Sequence, residues 1–202
     1  MSDKVPAEFV GKARVFRANM ISAVSGVGAQ MAAIRDYSFG LYKRRNSPPR
    51  PWHLLEIEQK WRSMPAAGCL RLAVQRDKRC MLIADTRITA AKAKNLEWGG
   101  ASEISICLVE NSLALSKRQV ETKAATVAAV SLHALGRWYQ RAFATSDTAM
   151  MHDLARVVAS VPALVTETAD VVEVPSPNGG SWRGAIVETT DGNRIVNVRT
   201  FL

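Results

Sequence analysis

Apolar residues recur at helical spacing near the start of the chain: Phe9, Val10, Phe16, Met20, Val24, Val27, Met31 and Ile34. A turn every 3.6 residues gathers them on one side, so the pattern predicts a helical segment over residues 6–34. Gly26 and Gly28 interrupt it, and glycine weakens a helix interior, so the segment reads as one broken helix or two short ones. Its apolar side needs cover, from the body of the protein or from a second copy.

After this segment the period changes. Lys43-Arg44-Arg45-Asn46-Ser47-Pro48-Pro49-Arg50-Pro51 holds three prolines, which prevent regular structure, and four positive charges in the eight residues from Lys43 to Arg50. It is either an arm that lies along a phosphate backbone or a solvated linker. It also marks a boundary: residues 1–50 form a helical arm and basic linker, and 51–202 form the main domain.

The body opens with a short helix at Leu54–Met64, followed by strand-like runs at Cys69–Gln75, Arg79–Asp85 and Glu103–Val109. Residues 117–143 read as helical, and so do 147–161, with Ser146 or Asp147 as N-cap and Pro162 just beyond. Val171–Val174 reads as a strand and 185–202 as a hairpin around Asp191-Gly192. Helices, strands, helices, strands predicts an α+β fold: an N-terminal helical arm, then a mostly antiparallel sheet packed with two or three helices.

Charge adds a preference for partners. Among 202 residues, 27 Lys and Arg face 18 Asp and Glu, a net charge of +9. Such an excess favours anionic partners through long-range attraction. Cys69, Cys80 and Cys107 are odd in number and lack CxxC spacing, which fits reduced thiols rather than a zinc ribbon or redox pair. The polar start, Met1-Ser2-Asp3-Lys4, and the lack of any long apolar run lead to the expectation of a cytoplasmic protein without a membrane contact. Delivery into another cell by a specialised secretion system is compatible with the same features.

Within the segment Ser131–Arg141, about 100° per residue places His133, Arg137, Gln140 and Arg141 together, with Leu132, Leu135 and Tyr139 opposite. An imidazole can move a proton near neutral pH, and paired guanidiniums can clamp a phosphodiester. The same pattern also describes the solvated side of an amphipathic helix with a satisfied histidine. His53 and His152 read as a packing or capping residue and a surface residue. Asp85 with Lys92 or Lys94 is a faint trace of a metal-dependent site, but HExxH, Walker A, GxSxG and a full dinucleotide fingerprint are missing, so neither metal nor cofactor is expected. Trp52, Trp61, Trp98, Trp138 and Trp182 are core residues or, beside arginine as at Trp52 and Trp182, surfaces on which a base can stack.

His133-Ala134-Leu135 with Arg137 and Arg141, followed by the acidic helix start at Asp147, resembles the HA-x-x-R helix of small metal-independent ribonucleases and toxins, the barnase, colicin and RelE-like superfamily. The C-terminal hairpin, from Ala185 through Asp191-Gly192 to Thr200, looks like their closing strands. The resemblance spans about residues 125–202. It implies His133 as acid and base, Arg137, Arg141 and Arg199 gripping phosphate, and Thr200 assisting. It also implies RNA more than DNA as substrate and an acidic protein as neutralising partner. Arg44, Arg45, Arg50, Arg183 and Arg199 are the expected nucleic-acid contacts. The alternative is a non-enzymatic accessory protein of a phage or mobile element that binds nucleic acid or a nucleoprotein. A third expectation is self-association through the N-terminal helix.

Overall fold

The computed structural model describes residues 4–43, 50–90, 104–116, 119–143, 145–166, 171–189 and 191–202. Helices α1 (Ala7–Ala23), α2 (Val27–Lys43) and α3 (Pro51–Arg62) precede strands β1 (Cys69–Arg76), β2 (Met81–Ala90), β3 (Ile104–Leu115) and β4 (Val120–Ser131). Helices α4 (Leu132–Arg141) and α5 (Asp147–Leu164) follow, then β5 (Val171–Pro175), β6 (Ser181–Glu188) and β7 (Arg194–Phe201). The fold is α+β, with a seven-stranded sheet in the order β1-β2-β3-β4-β7-β6-β5. Its pairs are antiparallel except β4 with β7, which run parallel through Ala128, Ala129 and Val130.

The N-terminal helical segment is two helices, parted at Val24–Gly26, where Val27 N–H bonds the Val24 carbonyl. They are layers of the body. Ala13 and Phe16 of α1 are fully buried in one core cluster, and Val27 and Ile34 of α2 are buried in another. Successive strand residues point to opposite faces, and this separates the two cores. Ile88, Ile106 and Leu108 pack with α1, α4 and α5 on one side. Met81, Ile83, Leu113 and Leu115 pack with α2 and α3 on the other.

Local chemistry sets the element ends. Pro51 occupies the first turn of α3, where its missing N–H costs nothing, and His53 Nδ1 accepts from Arg50 N–H at 3.2 Å. His53 is thus a buried cap. The β1–β2 turn is held by Asp77, whose Oδ1 accepts from the N–H groups of Arg79 (2.6 Å) and Cys80 (2.7 Å). Gly192, at φ +79, supplies the left-handed backbone of the last hairpin.

Residues 117–143, expected to be helical, contain a strand first. β4 pairs with β3 along its length, from Val120↔Leu115 to Ser131↔Ile104, and only then does α4 begin. Ala124, Ala125, Ala128 and Ala129 carry almost no periodic signal, so non-local pairing with β3 decides the structure. The switch comes at Ser131, whose Oγ accepts from Ala134 N–H at 3.0 Å as an N-cap. Helix α5 also runs further than expected, with Pro162 inside its last turn. Among the described residues no helix is long and apolar enough to cross a membrane.

Candidate functional site

Helix α4 joins the end of β7. Ser131 Oγ donates to the Arg199 carbonyl at 3.0 Å, and Arg141 Nη1 donates to the Phe201 carbonyl at 3.1 Å. These bonds bring Arg141 and the backbone of Arg199 to one seam, where both side chains are exposed. Trp138 donates to the buried Asp153 of α5, which also accepts from Ser176, so α4 is anchored on this side too.

The helix is not half solvated. Ala134, Leu135, Gly136, Arg137, Trp138 and Tyr139 are all buried, and His133 is half-buried. The reason lies far off in the sequence. A Cβ placed on Gly136 would lie 2.9 Å from Val5 Cγ1 and 3.8 Å from the Phe9 backbone, so the start of α1 crosses α4 in direct contact at this glycine. Gly136 shares a side with His133 and Gln140. The expected open side with two guanidiniums is therefore corrected: Arg137 is 5% exposed, and its Nη1 donates to Gln140 Oε1 at 3.1 Å.

Thr200 lies elsewhere. It pairs with Arg183 across β6–β7, next to the Trp182↔Phe201 pair. Trp182 and Phe201 point into the core that α4 covers, so alternation turns Thr200 and Arg183 to the opposite face. Arg183 meets Glu173 there at 3.0 Å. The structure thus brings Arg141 to the end of β7, but it does not bring His133, Arg137 and Thr200 onto one open surface. Arg50 is exposed at the start of α3; Arg44, Arg45 and Trp98 lie outside the described residues. Trp52 is 51% exposed beside Arg50, while Trp61, Trp138 and Trp182 are buried.

A second constellation has no local sequence signature. Asp85, 1% exposed, accepts from Arg87 Nε (2.6 Å) and Trp61 Nε1 (3.2 Å) at Oδ2, and from Asn111 Nδ2 (3.1 Å) at Oδ1. Arg87 Nη1 also donates to the Pro65 carbonyl at 2.7 Å. Trp61 and Asn111 then form one wall of a cleft of about 280 Å³ between α2 and the β3–β4 ribbon. Helix α2 contributes Gly28, Met31, Ala32 and Arg35, a stripe at helical spacing. Leu113↔Thr122 and Asn111↔Ala124 are cross-strand pairs on the floor, on the face that carries Leu115. Ser112 and Lys123 also border the cleft, but alternation sends their side chains to the other face. Arg35 is half exposed there, and among the described residues its ion pair is with its exposed neighbour Asp36 at 3.2 Å.

A hollow of similar size lies on the other side of α2, lined by Gln30, Ala33, Ile34, Tyr37, Lys60 and Ser63. There Tyr37 donates to Glu56, which also meets Lys60 at 3.5 Å, so its positive charge is already matched by a carboxylate. Burial and this bond push the Tyr37 hydroxyl up to about 12.

Among the described residues no cluster of three or more His, Cys, Asp or Glu could hold a metal ion. Cys107 is buried and free, and burial pushes its thiol up to about 11. No family model, curated protein or solved structure matches this chain.

Proposed function

We propose that the protein is a non-enzymatic nucleic-acid binder, one that holds a polyanion without cutting it. The observation that carries this reading is the burial of Arg137, with Thr200 turned to the other side of the sheet. Metal-free cleavage needs an acid–base imidazole, phosphate clamps and a reacting ribose within one cleft, and these side chains do not share one.

Electrostatics supports the binding half of the proposal. Among the described residues the buried charges balance, Asp85 and Asp153 against Arg87 and Arg137, so the positive excess of the described part is carried by the less buried side chains. Exposed cations are spread over α1 (Lys12, Arg14), the N-cap of α3 (Arg50), β1 (Arg71), α4 (Arg141), α5 (Arg156) and β7 (Arg199). Distributed cations of this kind track a phosphate backbone without reading sequence. Trp52, beside Arg50, adds an exposed ring for stacking.

The test is incubation of the purified protein with labelled RNA and DNA in EDTA, beside a His133→Ala variant. The reading predicts retarded but intact nucleic acid, the same for both proteins. RNA cleavage that the variant loses would overturn it and restore the ribonuclease expectation.

A further inference from the structure

We infer that the cleft between α2 and the β3–β4 ribbon receives a single unstacked nucleotide, so that the protein selects single strands over duplex. This rests on the nucleic-acid reading and adds a binding pocket to it.

The cleft's chemistry has three parts. Met31, Leu113 and Trp61 give it an apolar interior, which suits the flat body of a base rather than a bare inorganic anion. Thr122 offers a hydroxyl, and Asn111, whose amide N–H₂ is turned to Asp85, retains a carbonyl oxygen as acceptor. These are neutral polar groups of the kind that meet a base edge. Arg35 supplies the positive charge, and among the described residues its ion pair is with an exposed residue adjacent in sequence. Such a surface pair gives way at little cost to a phosphate that can take two guanidinium bonds.

Size and rigidity agree with this occupant. A volume of about 280 Å³ lies just below the roughly 300 Å³ at which pockets for drug-sized ligands begin. It admits one nucleotide and excludes a duplex. Trp61 cannot swing into the space, because its Nε1 is bonded to Asp85, itself held by Arg87 and Asn111. The wall is set before the ligand arrives, which limits the ordering cost of binding.

The experiment measures binding of a labelled single-stranded oligonucleotide and of its duplex to the full chain at low salt. It includes Ala124→Trp, which fills the cleft from its floor, and Arg35→Ala, which removes the charge from an exposed site. Thermal melts confirm that both variants fold. The expected result is tighter binding of the single strand, by about tenfold, with the preference lost in Ala124→Trp and reduced in Arg35→Ala. Equal, salt-sensitive binding of single strand and duplex, unchanged by either variant, would overturn the pocket and leave the polyanion reading standing. Failure of the wild-type chain to bind either nucleic acid would remove both.

Discussion

The indole N–H of Trp61 donates to Oδ2 of Asp85 at 3.2 Å, tying α3 to the middle of β2 inside the protein. The same oxygen accepts from Arg87 at 2.6 Å, and the carboxylate's other oxygen accepts from Asn111 at 3.1 Å. One buried carboxylate thus organises three elements. Asp85→Ala strands the Arg87 charge in the interior, at a cost of about 3–5 kcal/mol. Urea unfolding should show that loss. Adding Arg87→Met to the same chain should recover part of it, because the stranded charge is then gone.

At Gly136 the chain leading into α1 lies against α4, with Val5 Cγ1 2.9 Å from where a Cβ would stand. Gly136→Leu places a side chain where Val5 already lies, and such overpacking should cost about 1–3 kcal/mol. Val5→Ala in the same protein makes room, so the double variant should be more stable than Gly136→Leu alone. Thermal melts of the four chains test this coupling. Additive effects would place Val5 elsewhere.

Buried Cys107 gives stability an alkaline limit. Its folded value is raised to about 11 from an ordinary 9.0. The stabilisation is therefore complete below pH 9 and is lost as pH rises toward 11, because the unfolded chain releases this proton first. For such a shift the loss by pH 10 is about 1.4 kcal/mol. Denaturation across pH 8–10 should show this decline, and Cys107→Ala should flatten it.

Exposed Trp52 beside Arg50 gives a prediction on binding rather than stability. Trp52→Ala should weaken single-strand binding by at least about fivefold through lost stacking. It should leave the salt slope unchanged, since no charge is removed. Fluorescence anisotropy at several salt concentrations separates the two effects.

Much of the fold was legible in the chain, and the failures have physical causes. Helix α5, the Asp191-Gly192 hairpin and strands β1 and β5 follow from period and turn chemistry, which are local. Strand β4 does not, because alanine suits either structure and its fate is decided by β3. The side of α4 that carries His133 had the right pattern for solvent exposure. No local rule shows that Val5 and Phe9, over a hundred residues earlier, come to lie upon it. The Trp61–Asp85–Asn111 cluster was invisible for the same reason: its members are 24 and 26 residues apart and converge only through α3–β2 and β2–β3 packing. The positive charge was legible from composition, but the balance of buried charges, Asp85 and Asp153 against Arg87 and Arg137, was not.

The most direct test of the central claim is the affinity of the full chain for a single-stranded oligonucleotide as a function of salt. Log affinity should fall linearly with log salt, by roughly fiftyfold between about 50 and 200 mM if some four phosphates of the single strand are neutralised. An affinity that is absent at low salt, or that does not respond to salt, would contradict it.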